Sequence, residues 1–207
     1  MNIPSLTELL AKGADTGAST QAGERILDAA LSLFVEFGLR RNTMDDVAQR
    51  AGVGRATVYR HFGDKDRLVQ AVILREIQRN LLIIEERVRK IASPVDALLE
   101  AFVLSVSMAH DNALLKRLLT SEPETSLPYL TVHYGQTMDL SRLYLAARIR
   151  DAQKADAMGP IDADAGAEIM LRLLQSLLLT PAGGVQASDR DSLRTFADQC
   201  LRPLFSL

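Results

Sequence analysis

The chain has 207 residues, with 24 Lys and Arg against 26 Asp and Glu, a net charge of −2, and 47% hydrophobic residues. That length and composition fit a globular protein with a real core and exclude general disorder, and without bulk basicity any grip on nucleic acid has to come from a local patch. The one cysteine, Cys200, excludes an intrachain disulfide framework and a cysteine-based zinc site.

In chain order, residues 1–19 read as an arm with one turn of helix at Leu6–Ala11, followed by a Gly/Ser/Thr-rich link. The arm has neither a basic n-region nor a sustained apolar run, so it does not read as a signal peptide. No apolar run approaches the ~20 residues that span a bilayer. The expected location is cytoplasmic, with no membrane partner.

Strand signals are almost absent and helical periodicity is nearly everywhere, so the expected class is all-α. The first helix runs from about Gln21 to Phe37, capped by Ser19 or Thr20 and closed by Gly38. Ile26, Ala29, Ala30, Leu33, Phe34 and Phe37 form its apolar stripe. A second helix covers about Met44–Ala51, with Thr43 as its cap, Asp46 three residues on in a weak capping box, and Gly52 at its end. A third covers about Arg55–Phe62. Asp64 then caps a long fourth helix that fades near Pro94.

Further helices are expected at about Val95–His110, Ala113–Thr120, Leu127–Met158 with Pro128 near its start, Ala163–Thr180 and Ser188–Leu204. The stretches "EPETSLP", "MGPID" and "PAGGVQ" are the expected breaks between them.

The second and third helices, joined by a short glycine-containing turn, have the lengths of a helix-turn-helix spanning about residues 43–62. Ala48 is small where two helices must approach, and Val47, Val53 and Val58 are apolar where they would cross. At 100° per residue, Val58 and Phe62 point inward while Ala56 and Arg60 point away, with Thr57 beside them and Tyr59 and His61 on the flanks. In a major groove the outward residues would meet base edges: Arg60 or Arg55 suits a guanine, and Ala56 or the Thr57 methyl suits a thymine methyl. Thr43, Tyr59, His61 and Lys65 suit phosphates. From Arg40 to Arg67 seven Lys and Arg face four Asp and Glu, a local surplus in an otherwise slightly acidic chain. Charge alone does not separate this from a solvated surface. The caps, the turn glycine and the divided faces do, although periodicity alone leaves a protein-interaction helix open.

The stretch "TMDDVAQRAGVGRATVYRHFGDKDRLV" resembles the DNA-binding domain of the tetracycline-repressor (TetR) family of bacterial regulators, in register over about Gln21–Asn80. The resemblance implies base-facing roles for Arg55, Ala56, Thr57 and Arg60, and phosphate roles for Thr43, Tyr59, His61 and Lys65. The arm holds only Lys12, so no minor-groove contact is assigned to it. The implied organisation is an arm (1–19), a three-helix DNA-binding domain (20–80) and, joined by the long helix, a larger helical domain (81–207) for effector binding and dimerisation.

For the effector, Met108, His110, Tyr129, His133, Tyr134, Met138 and Arg142 are the groups that would project into an apolar cavity. Each is also a common core or surface residue. "AEIMLRLLQSLLL" (Ala167–Leu179) is apolar around most of its circumference, and with "SLRTFADQCLRPLF" it suggests a dimer surface at Met170, Leu171, Leu174, Leu178, Leu193, Phe196 and Cys200. Monomer core is the competing explanation of both helices.

No nucleophile motif, phosphate loop or metal-binding helix spacing is present, so neither an enzyme nor a cofactor is implied. The expected function is a homodimeric regulator bound to palindromic double-stranded operator DNA, reading as a repressor released by a small, largely apolar effector, with the long helix as lever. The alternatives are a regulator controlled by a protein partner and an enzyme reusing the scaffold.

Overall fold

The computed structural model describes residues 20–206, and every regular element among them is helical. The arm at 1–19, with the turn expected at Leu6–Ala11, lies outside the described residues. In chain order the helices are α1 (Gln21–Phe37), α2 (Met44–Ala51), α3 (Arg55–Phe62), α4 (Lys65–Val88), α5 (Pro94–Asp111), α6 (Ala113–Ser121), α7 (Pro123–Leu130), α8 (Gly135–Lys154), α9 (Ala163–Leu179), α10 (Arg190–Cys200) and α11 (Arg202–Phe205).

The starts of the first helices follow from their caps. Thr20 Oγ1 accepts from Gly23 N at 3.0 Å to open α1, and Asp64 Oδ1 accepts from Arg67 N at 2.8 Å to open α4. Each bond satisfies an amide that the first helical turn leaves without a partner.

Two compact units divide the chain, and the boundary falls inside α4 between Gln78 and Arg79. The first holds α1–α3, the first part of α4, and also Ala113–Gln136. Its core is Ile26, Leu27, Ala30, Leu33 and Phe34 of α1 with Val47 and Ala48 of α2, Val58 and Phe62 of α3, and Leu68 and Val72 of α4. Leu114 and Leu118 of α6 complete it. Each of these Val, Leu, Ile and Phe side chains, once fully buried, contributes about 1.5–3 kcal/mol. Arg75 on α4 is 7% exposed and reaches two α1 carboxylates, Glu24 at 3.1 Å and Asp28 at 2.9 Å. That offsets part of the cost of burying the charge, while Arg75 Nε and Nη2 stay buried without a hydrogen-bond partner among the described residues.

The second unit comprises Arg79–Asn112 and the residues from Thr137 on. Leu99, Phe102 and Val103 of α5 pack with Ile149 of α8, Ala167 and Met170 of α9, Leu193 and Ala197 of α10, and Phe205 of α11. Ion pairs fix the last helices to α5: Glu100 takes Arg190 at 2.6 Å and Arg194 at 3.0 Å, and Asp96 takes Arg202 at 2.6 Å.

Four expectations from the sequence change. The helix expected over Leu127–Met158 is two helices, α7 and α8, separated at 131–134. The "EPETSLP" stretch is mostly helical, because Pro123 stands at the first helical position, where its missing N–H costs nothing. The real break follows from Thr131 and Val132, poor helix formers, and from Thr131 leaving the helical region at φ −132°, ψ −87°. The helix expected over Ser188–Leu204 ends at Cys200, and α11 restarts it, since Pro203 has no N–H to continue the ladder. Residues 113–136, which the sequence reading gave to the C-terminal domain, pack with the N-terminal unit.

Candidate nucleic-acid interface

The connection from α2 to α3 is a tight, hydrogen-bonded turn. Gly52 sits in the left-handed region at φ 62°, ψ 41°, and its N–H reaches back to the carbonyls of Ala48 and Gln49. Val53 N then bonds Ala48 O at 3.1 Å, which turns the chain into α3. α3 begins after Gly54 with no side chain capping it, so its positive dipole end stays open for an anion.

The faces of α3 divide as its sequence predicts. Val58 is 0% and Phe62 3% exposed, both inside the core of the unit. Arg55, Ala56, Tyr59 and Arg60 are exposed, and Thr57 and His61 are half-buried. Among the described residues the Arg60 side chain makes no hydrogen bond or ion pair. His61 is turned toward Phe62, with ring centroids 6.0 Å apart.

Arg55 is engaged. Its Nε lies 2.8 Å from Asp45 Oδ1, and its guanidinium stands over the Tyr59 ring, 5.5 Å from the centroid. The bond with Tyr59 and the Asp45 charge hold its proton more firmly than usual. Asp45 therefore competes for a side chain that the sequence assigns to bases.

Thr43 and Asp46 form a full capping box. Thr43 Oγ1 accepts from Asp46 N at 3.2 Å and donates to Asp46 Oδ2 at 2.7 Å, and Thr43 N donates to the same oxygen at 2.8 Å. These bonds from Thr43 hold the Asp46 carboxyl below the usual carboxylate range. Lys65 is half-buried, and its Nζ donates to Asn42 O at 2.6 Å. Burial pushes its pKa down, while the Glu122, Asp66 and Asp46 charges pull it back up.

Three participants were missed from the sequence. Arg40 and Arg41 are exposed cations just before the α2 cap, and the adjacent pair in "LRRNT" is a signal that could have found them. Glu122 was not legible: its Oε2 accepts from Leu39 N at 2.8 Å and Arg40 N at 3.0 Å, across more than eighty positions of sequence.

The effector candidates divide between the two units. Tyr129, His133 and Tyr134 fall in the N-terminal unit, where Tyr129 and Tyr134 pack against its core and Tyr129 Oη donates to Asp66 Oδ1 at 2.6 Å. His133 is exposed. In the other unit Met138 is buried, Met108 packs beside Ile84, Val88 and Leu104, His110 is half-buried, and Arg142 pairs with Asp164 at 2.6 Å.

Of the dimer candidates, Met170 and Leu193 are buried in their own unit's core and leave no surface for a second copy. Leu171, Leu174, Leu178 and Phe196 are half-exposed and Cys200 is exposed. Among the described residues no group of His, Cys, Asp and Glu could hold a metal ion, and no single helix is long and apolar enough to cross a membrane.

The sequence pattern of the bacterial regulatory proteins of the tetR family matches residues 26–72, which cover α2, α3 and most of α1. An uncharacterised HTH-type transcriptional regulator of Mycobacterium bovis is 30% identical over 156 residues, covering 75% of this chain and 79% of that protein. The HTH-type transcriptional regulator UidR of Escherichia coli K12 is 28% identical over 173 residues, covering 84% and 86%. Among solved structures, RolR in complex with the ligand resorcinol has a similar fold, with a TM-score of 0.66 at 17% identity over 89% of this chain and 87% of that one.

Proposed function

The chain belongs to the TetR family of bacterial regulatory proteins, and from that premise we propose that it is a repressor that reads a palindromic operator as a homodimer and leaves it on binding a small, largely apolar effector. Regulators of this family bind operator DNA as dimers, some bind small molecules, and they are not enzymes.

The observation that carries the reading is the division of α3: one face anchored by Val58 and Phe62, the other offering Ala56 and Arg60 to solvent. A helix held that way enters a major groove with its outward side chains at the base edges. Arg60 reads a base, joined by Arg55 once Asp45 releases it, and Ala56 and Thr57 pack on thymine methyls. Tyr59, His61, Lys65 and Thr43 lie on the backbone side, with Arg40 and Arg41 adding charge.

One such helix reads few base pairs. Two copies about 34–36 Å apart read two half-sites. The half-exposed Leu171 and Leu178 of α9 supply apolar surface for that pairing, with Leu174 between them also packed against its own unit's core. The effector reading takes its support from the similarity in fold to RolR, which was solved in complex with resorcinol. α4 is the lever, since it opens beside Lys65 and ends in the second unit. An effector releases operator only in proportion to its preference for the conformation that binds DNA poorly.

The test is fluorescence anisotropy of the purified protein on the duplex upstream of its own gene and on unrelated DNA, across a salt series. Selective binding that weakens steeply with salt is expected. Equal, weak binding to both duplexes contradicts the reading.

A further inference from the structure

Helix α7 is tied to other elements of its own unit at both of its ends, and both contacts fall on segments that carry the groups proposed to face phosphates. At its start, one carboxylate oxygen of Glu122, Oε2, accepts from the backbone N–H of Leu39 at 2.8 Å and of Arg40 at 3.0 Å. Gly38 makes room for that carboxylate. It stands at φ +81°, and a Cβ added there would lie 2.5 Å from Glu122 Oε1.

The turn held by Glu122 continues to the interface. Asn42 is buried, its amide donates to the carbonyls of Leu33 and Gly38, and its own carbonyl receives Lys65 Nζ at 2.6 Å. Thr43 then caps α2. At the other end of α7, Tyr129 Oη donates to Asp66 Oδ1 at 2.6 Å, one residue from Lys65. Burial and the Asp66 carboxylate push the phenol pKa up, so it keeps its proton and stays a donor. Midway, the buried Ser126 hydroxyl donates to Leu118 O at 2.9 Å, and Leu118 belongs to the unit's core.

We propose that Glu122, with Tyr129 as second anchor, is a positioning residue for operator binding: it fixes the 39–43 turn against the start of α4, so that Arg40, Arg41, Thr43 and Lys65 present one fixed surface to the phosphate backbone. The proposal rests on the DNA-binding reading above. It runs against simple electrostatics. A carboxylate beside Lys65 repels a polyanion, so charge alone has every substitution that removes it tighten DNA binding. Positioning separates the substitutions by whether an acceptor remains.

The experiment uses the full chain and its Glu122→Ala, Glu122→Gln and Tyr129→Phe variants, with anisotropy on operator and unrelated duplexes and a melting curve for each. Glu122→Ala loses about tenfold in affinity on every duplex, because two backbone amides lose their acceptor. Glu122→Gln binds as the wild type or tighter, since both bonds run to one oxygen that the amide retains. Tyr129→Phe weakens binding in the same uniform way. Glu122→Ala binding as well as the wild type, or better, overturns the proposal. If that variant fails to fold, Glu122→Asp carries the test: the carboxylate is kept one methylene short, so weaker binding supports positioning and unchanged binding overturns it. If the wild type binds no duplex, the functional reading fails by itself. Hydrogen exchange at the Leu39 and Arg40 amides then decides whether Glu122 holds the turn: faster exchange in Glu122→Ala that spreads to Asn42 and is absent in Glu122→Gln supports it, and unchanged exchange in Glu122→Ala overturns it.

Discussion

The Asp45–Arg55 pair ties α2 to the exposed side of α3, the face proposed to meet DNA, and it belongs to the free protein. Both partners are exposed, so the pair adds little to stability. Its effect is on binding, where Asp45 both occupies Arg55 and repels phosphate. Asp45→Asn is therefore expected to leave the melting temperature nearly unchanged, tighten DNA binding and steepen its salt dependence; unchanged affinity would return Arg55 to a surface role. Lys65→Ala should weaken binding alike on all duplexes and lower the salt slope by about 1.

A phosphate on Lys65, as proposed, would also give binding a pH dependence. Burial lowers its pKa in the free protein, and a phosphate favours the charged form, so binding takes up a proton. Affinity should fall as pH rises through the depressed pKa, earlier than for an ordinary lysine, and the fall should vanish in Lys65→Ala. For folding the sign is opposite. Between the depressed and the ordinary value the unfolded chain holds more protons, and this residue's contribution to stability rises with pH. Faces and caps at this scale were legible in the sequence because they depend on neighbours three or four residues away. Glu122 was not, because its partners are remote in sequence.

At the scale of elements, the turns carry the geometry. Gly52 occupies a left-handed position, and an alanine there should cost about 1–2 kcal/mol in chemical denaturation. Gly38→Ala should cost more, because its φ of +81° is strained for a side chain and its Cβ would also meet the Glu122 carboxylate. Equal costs would mean that the carboxylate yields easily. Most helix limits were legible from glycines, prolines and caps. The α7–α8 break was not, because "EPETSLP" carries break-forming residues while Pro123 opens a helix, and Val132 reads as an apolar helix position while being largely exposed.

At the scale of the molecule, the sequence divided the chain at residue 80, but α6 and α7 fold with the N-terminal unit. Periodicity identifies an apolar face and says nothing about which core it meets. The same limit explains Met170 and Leu193, apolar positions on the right helices whose side chains point into their own unit. The surface left to α9 makes a clear prediction. Leu178→Glu should convert a dimer to a monomer in sedimentation velocity and collapse operator affinity, because each head alone reads one half-site. A dimeric variant with intact binding would move the interface elsewhere.

If α3 reads bases through its outward face, selection of bound sequences from a random duplex library will show it. The wild type should enrich a palindrome, and Arg60→Ala should yield the same palindrome with one position relaxed in each half-site and a loss of about 1–3 kcal/mol. No enriched motif from the wild type, or an identical motif from the variant, would contradict it.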